Sequence, residues 1–459
     1  MAIVRRWSVL PRATRALLSG LSALSVASCA SSGDAASGES LDVVQVVPDT
    51  SGASAPDEDV RIRYTESTEP KAMLEGDWTA STPPVAVIGE DTGEAGLLYA
   101  AALGGYFLLR VQQEDGTYKY EYRPDTDEWL WQDVIHRQVG PAYACVILFR
   151  ATHRAEFLYS ANRVFDYAAT RIEEQADGSL RLADIGGTSI LVFGLSHYRM
   201  AFEGDVGEEA TRWDATLSGL AAHLLSRQND DGSFSEGSFL ARGQVVQALG
   251  HMDLLTSGEP KYRDALVKAA RYSCEHKDEI AVGDLPYFLL YANEALRYLN
   301  KVAPDAGDWV ACSDALTQVL LDDHYLDGDA EDPIWSGGFG KRDSARPTWS
   351  ASLRLESVAD ALGLAQDRGD SARQALLREH LVTGTAFVIR QQWRKGETDD
   401  YPNPPEIIGG YPYYMPGQTG GSLGWPLSRT DLSWHGSAML VKAATVLGEE
   451  IFPGGPLQD

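Results

Sequence analysis

The segment Arg429-Thr-Asp431-Leu-Ser-Trp-His435 sets a carboxylate and an imidazole four residues apart, which on a helix places both on one face. Such a pair can move protons, the acid holding the tautomer while the histidine, with its pKa near neutrality, does the exchange. The same spacing admits a structural account, in which Asp431 caps the helix and His435 sits in a satisfied core hydrogen bond. A second cluster, Asp133, His136 and Arg137, precedes another apolar segment. It could meet the first across a seam, either as chemistry or with Arg137 simply pairing to Asp431. Glu356 and Asp360, also four apart, offer further acids, or partners for Arg354. Paired carboxylates suit hydrolysis. A tyrosine such as Tyr287 or Tyr413 facing an arginine would better suit elimination or epimerisation at a uronate.

These residues lie in or beside loops that hold most of the unusual side chains. The first loop carries Trp129 and Trp131, and the second carries Asp184. Glu236 and Arg242 follow in the third, Asp284 and Tyr287 in the fourth. The fifth offers Trp335, Lys341, Arg342, Arg346 and Trp349; the last, much longer than an ordinary connection, holds Tyr411, Tyr413, Tyr414, Trp425 and Arg429. Flat rings interleaved with Asp, Glu and Arg suit sugars, whose C–H faces stack on aromatics while their hydroxyls bond charged groups. The rings could instead pack the loops onto the protein's own surface.

Hydrophobic periodicity predicts twelve helices, over about 93–113, 139–153, 155–174, 188–203, 207–228, 238–256, 260–276, 286–302, 306–325, 349–366, 370–393 and 430–448. Pro141 and Pro286 fall where a first turn tolerates proline. Segments such as 155–174 and 260–276 carry a charged face. Others, such as 139–153, 188–203 and 430–448, are apolar nearly all round, as helices buried on every side must be. The alternation predicts an outer ring of half-exposed helices around an inner buried ring, an all-α (α/α)6 toroid spanning 82–459. Each inner helix would begin after a loop, with all six loops at one end. The turn marker recurs as QQEDGTYKY at 112–120, EQADGSLRL at 174–182 and QNDDGSF at 228–234, with degenerate versions near Gly283, Gly338 and Gly410.

The pairing and the turn Gln228-Asn-Asp-Asp-Gly-Ser-Phe234 resemble the six-hairpin toroids of many glycoside hydrolases, polysaccharide lyases and sugar epimerases, and of the terpenoid cyclase and prenyltransferase group. The segment 243–270 is similar to hairpins of the carbohydrate-active branch, including the glucuronyl epimerases. Coverage is most of the chain after residue 90. The shared residues are those that build hairpins, so no catalytic residue is carried over. The terpenoid branch needs DxDD or DDxxD, and neither occurs; Asp322-Asp323 and Asp327-Gly-Asp329-Ala-Glu-Asp332 come closest. Asp308 with Cys312 does not reproduce the zinc ligands of protein prenyltransferases. The resemblance implies an enzyme acting on a glycan by general acid and base, without a cofactor. The alternative is a non-catalytic toroid that binds glycan or protein.

Composition narrows the setting. A net charge of −27 over 459 residues argues against nucleic acid, and an anionic substrate would need a local arginine cluster. Arg5, Arg6, Arg12 and Arg15 precede a modest apolar run and then Val26-Ala27-Ser28-Cys29, which resembles a bacterial lipobox. The reading is a signal peptide over 1–28, removed to leave a lipidated Cys29, followed by a Ser/Gly/Pro-rich tether over 29–81 that holds the protein to the cell envelope. Of Cys145, Cys274 and Cys312 at least one is then unpaired. Cys274 reads as a buried thiol beside a surface His276, and no metal spacing is present. Cys29→Ala should abolish labelling of the expressed protein by a fatty-acid analogue and release it from membranes. Labelling that survives the substitution would remove the anchor.

Overall fold

The computed structural model describes residues 96–447 apart from 131–133, 153, 203–206, 281–284, 327, 330–331, 344–350, 394–400 and 414–427. Cys29 and the expected boundary at residue 82 lie outside the described residues. The chain divides into two units, Met1–Asp42 and Val43–Asp459, and every described residue belongs to the second. Twelve long helices are present among the described residues: α1 (Leu97–Val111), α2 (Ile135–Thr152), α3 (Ala155–Ala169), α4 (Ile185–Ala201), α5 (Asp214–Ser226), α6 (Phe239–Leu255), α7 (Pro260–Glu275), α8 (Leu285–Val302), α9 (Trp309–Leu321), α10 (Ala351–Asp367), α11 (Ser371–Gln391) and α12 (Thr430–Leu447). None is long and apolar enough to cross a membrane.

The even-numbered helices form the inner ring. Each packs on the next, α2 on α4, α4 on α6, α6 on α8, α8 on α10 and α10 on α12, and α12 closes against α2. The odd-numbered helices lie outside, each packed mainly on the inner helix before it, while α1 packs on α12. The protein is an (α/α)6 toroid. Its inner helices are buried nearly all round, which is why they carry no polar face. Short polar side chains start the helices: Asp184 Oδ1 accepts from the Gly187 N–H at 2.7 Å, and Asp308 and Asp370 do the same for α9 and α11.

Two local readings are corrected. The expected helix over 155–174 stops at Ala169, because residues 172–174 form β3 (Ile172–Glu174), paired antiparallel with β4 (Leu180–Leu182) across the Asp177-Gly178 turn. The first inner helix starts at Ile135 rather than 139, so Pro141 lies inside it instead of in its first turn. The repeated turn is a single device. Asp115, Asp177 and Asp231 each accept the backbone N–H of the Thr or Ser two residues on. Gly116 and Gly232 have φ of 87° and 91°. A Cβ there would stand 2.3 Å from the carbonyl oxygen of Arg163 and of Lys268, so the turn can sit on the neighbouring outer helix only as glycine.

Some of the loops that lead into inner helices touch one another among the described residues. β1 (Glu121–Arg123) pairs with β2 (Glu128–Leu130) and also with β5 (Ser428–Arg429), joining the first loop to the last. Arg181 of the second loop reaches Glu236 of the third at 3.9 Å. The cysteines are also corrected. Cys274 of α7 is bonded to Cys312 of α9, so it is not a free thiol beside His276, and Cys145 is the buried free one. The bridge closes a separation of 38 residues. Cys312→Ser should lower the unfolding free energy by about 3–4 kcal/mol, the chain-entropy value for a loop of that size, read from urea midpoints. Equal midpoints with and without reductant would mean that the bridge contributes nothing.

Candidate functional site

The rim site is assembled where the ring closes. Asp431, in the first turn of α12, does not meet His435. It receives the guanidinium of Arg429, with Nε at 3.0 Å from Oδ1, and the Tyr120 hydroxyl, which donates to Oδ2 at 2.9 Å. Arg137 does not take Asp431 either; it lies over the Tyr120 ring, 4.3 Å from the centroid, while Arg429 covers the rings of Tyr120 and Tyr413 at 5.1 and 4.8 Å. His136 is exposed, yet surrounding protein is the main influence lowering its pKa, with Arg137 adding to the effect and Asp184 and Asp431 opposing it. Burial, then Asp431, pushes the Tyr120 phenol far above its usual range, so it remains a hydroxyl and a donor. Tyr287 is half-buried within electrostatic reach of Arg354, Asp431, Arg429 and Tyr413.

His435 finds its carboxylate on another helix. Its Nδ1 is 2.9 Å from Oε1 of Glu356 of α10, and both side chains are nearly closed to solvent. Glu356 and Asp360 do not pair with Arg354. They face Lys442, whose ammonium stands 4.0 Å from Glu356, 2.9 Å from Asp360 and 3.0 Å from Glu294 of α8. Glu294 in turn takes Gln247 at 2.6 Å and His251 at 2.9 Å, and His197 of α4 meets Arg150 of α2 at 2.9 Å. One polar chain therefore draws on all six inner helices. Sequence reasoning missed Lys442, Glu294, His251, His197 and Tyr120. The available signal was a lone charge inside a helix otherwise apolar on every side, as Lys442 is.

His197, His251 and Glu294 bring three possible metal-ligand atoms within 4.8 Å of one another. The Lys442 ammonium on Glu294 and the Arg150 guanidinium on His197 place two positive charges where a cation would enter, and the group is better suited to sharing protons. Asp308 caps α9 and Cys312 is in a disulfide, so neither serves as a zinc ligand. Asp322 and Asp329 pair with Arg342 and Lys341, as turn residues do.

The aromatics divide. Trp129 packs on Tyr122, 4.6 Å between centroids, and on Phe107, so it fixes the first loop to the ring. Trp335 packs against Tyr325. Tyr413 and Tyr287 stay partly open at the rim. Asp133, Asp284, Trp131, Arg346, Trp349, Tyr414 and Trp425 lie outside the described residues.

No family model matches the chain, and no curated protein matches its sequence. Solved structures do. A GH76 alpha-mannanase of Bacteroides thetaiotaomicron superposes with a TM-score of 0.53 at 12% identity, covering 79% of this chain and 98% of its own. The GH76A alpha-1,6-mannanase of Salegentibacter sp. HEL1_6 gives 0.54 at 8% identity, covering 77% of this chain and 100% of its own. An unsaturated glucuronyl hydrolase specific for heparin gives 0.51 at 12% identity, covering 77% and 98%. All are carbohydrate-active enzymes on an (α/α)6 toroid, and the resemblance is remote.

Protonation of the buried pair sets a pH response. Burial pushes the Glu356 carboxyl up to about 8 and the His435 imidazolium down to about 3. A raised folded pKa removes stability as pH climbs from the unfolded value of 4.5 towards 8. A lowered one removes it as pH falls from 6.5 towards 3. Between 4.5 and 6.5 the two slopes oppose each other, and above 6.5 only that of Glu356 remains. Stability should drop by about 2 kcal/mol between pH 6.5 and 8, at about 1.4 kcal/mol per unit, and Glu356→Gln should flatten that limb in urea titrations. An unchanged limb in the variant would assign the loss to another group.

Proposed function

We propose that the protein is an exported, lipid-anchored enzyme that acts on a glycan by general acid and base catalysis at the rim where α12 meets α2. The observation that carries this reading is the Tyr120–Asp431 hydrogen bond at the seam, with His136 next in the chain to the Arg137 that covers the Tyr120 ring, on a fold whose solved examples include enzymes of carbohydrates. His136, with its pKa lowered, is neutral near pH 7 and can accept a proton. Tyr120, held protonated, can donate a hydrogen bond to a sugar oxygen but cannot serve as a phenolate base. Proton abstraction therefore falls to the histidine, and Asp431 is the carboxylate that would support the charge formed on it. Glu356 and His435 lie beneath, closed to solvent, and act by fixing α10 against α12. Export has independent support in the Cys274–Cys312 bridge, a bond typical of oxidising compartments.

A second reading, a glycan-binding protein without turnover, is favoured by one observation: Arg429 occupies the carboxylate of Asp431. The two separate by experiment. Against a panel of bacterial and plant polysaccharides, with reducing-end and unsaturated products both measured, Asp431→Asn and His136→Gln should each lower turnover by about 10²–10⁴-fold while changing ligand affinity only a few-fold. Retention of a glycan with no product from the wild-type chain would select the binding reading, and neither retention nor product would remove both.

A further inference from the structure

We propose that the second and third loops hold a further glycan subsite, where Arg181, His223, Arg227 and Glu236 bind neighbouring hydroxyls of a neutral sugar. The proposal rests on the glycan reading above and adds that the ligand is an oligomer or polymer.

Four ionisable side chains meet there, and among the described residues no hydrogen bond joins them. Arg181 comes from β4, His223 from the last turn of α5, Arg227 from the cap of that helix and Glu236 from the loop into α6. His223 Nε2 stands 3.7 Å from Glu236 Oε1, and Arg181 Nη2 stands 3.9 Å from Glu236 Oε2. These gaps allow attraction but not a bond. Arg227 lies within electrostatic reach of His223. Both nitrogens of His223, Nε of Arg181, Nε of Arg227 and Oε1 of Glu236 are closed to solvent and have no hydrogen-bond partner in the protein. His223 itself has no exposed surface. Buried polar atoms almost always find partners, so a group of such orphans in one place calls for a partner from outside. The negative end of the α5 dipole accounts for a cation beside Ser226. It does not account for Glu236, nor for nitrogens that bond none of the carbonyls at that helix end.

The unmet bonds name the ligand class. The guanidiniums offer only N–H donors and Glu236 only accepting oxygens. Burial, then Arg227, lowers the pKa of His223, so it is neutral near pH 7 and offers one donor and one acceptor. An anion would satisfy the arginines and be repelled by Glu236, and a cation would meet the reverse. A hydroxyl both donates and accepts, so two on adjacent carbons can take an N–H from arginine and give an O–H to the carboxylate without any net charge. Asp177, also within electrostatic reach, is turned to the N–H and hydroxyl of Ser179. Arg181 and Glu236 keep 31% and 33% of their side chains exposed, which gives a ligand its approach. The cluster also follows the seam along the ring. β4 runs into Asp184, which is within electrostatic reach of His136, and α2, α4 and α6 pack in succession. Packed helices lie about 8–10 Å apart, so a ligand touching both His136 and Glu236 is longer than one sugar ring.

The test is affinity electrophoresis of the detergent-solubilised full chain through gels holding mannan, dextran or polygalacturonate. Retention by at least one of the two neutral polymers is expected. Arg181→Met and Glu236→Gln should each weaken it by about tenfold or more, with the circular dichroism spectrum unchanged. Arg227→Met is read beside them, so that loss of fold in one variant leaves two. Lys261→Met, which removes an exposed charge on α7, should leave retention unaltered. A charged ligand would give opposite signs, an anion binding more tightly to the Glu236 variant and more weakly to the Arg181 variant. Opposite signs, retention by polygalacturonate alone, an equal loss in the Lys261 variant, or full retention in the Arg181, Arg227 and Glu236 variants, as for a cluster that holds only water, would each overturn the subsite and leave the glycan reading standing. Absence of retention in all three gels would overturn both.

Discussion

Lys442 lies inside the ring with its ammonium among three carboxylates from two other helices, and the arrangement of the interior follows from that contact. Taking an ammonium out of water costs several kcal/mol, and only close opposite charge offsets it. Glu294 and Asp360 provide that charge, and in doing so they fix the register of α8, α10 and α12. A slide of one helical turn would leave the cation or an acid uncompensated. One ammonium cannot neutralise three acids, so they divide. Glu294, bonded also to His251 and Gln247, keeps its charge well below the ordinary carboxylate range. Asp360 is raised to about 6, and Glu356, the most distant of the three, to about 8.

The deep network and the rim are linked along α12. Asp431, His435 and Lys442 are spaced by four and seven residues, so they form one stripe down the helix. The stripe joins three environments. Asp431 is at the rim among side chains brought by the first loop, His435 is one turn below against Glu356, and Lys442 is two turns deeper. The interior charges thus hold helices together, while the solvent-facing chemistry is confined to loop residues and the first turns of helices that rest on them. A scaffold of this kind can change its rim without disturbing the charges that keep the ring in register.

The ring was legible in the sequence, and its contents only partly so. A helix buried on all sides has to be apolar on all sides, so 139–153, 188–203 and 430–448 stood out against the charged faces of their neighbours, and twelve helices in six pairs follow. The spacing of Asp431 and His435 correctly put both on one face but could not say that they would touch. On a helix, side chains one turn apart are free to turn to other partners, and here each found one from a distant helix or loop. Tyr120, 311 residues from Asp431, carries no local sign of that pairing. The bond between Cys274 and Cys312 was equally unreadable, because α7 and α9 become neighbours only once the ring exists. Trp129 read as a ligand-facing ring, yet it packs on Tyr122 and Phe107. Composition identifies a large flat side chain but not which way it faces.

Closure connects stability to the site. β1 pairs with β5, Thr430 donates its N–H to the carbonyl of Tyr120, and Tyr120 bonds Asp431, so the contacts that seal the seam are also those that assemble the rim. Each joins segments about 300 residues apart, and the entropy lost in bringing them together is recovered only when the intervening hairpins are already stacked. An open ring would keep most of its helices and lose the neighbourhood of Asp431, His136 and Arg137 entirely. The site is therefore a property of the closed ring rather than of any hairpin in it, and whatever ligand bridges the first loop and the last inner helix necessarily stabilises closure by the free energy with which it binds.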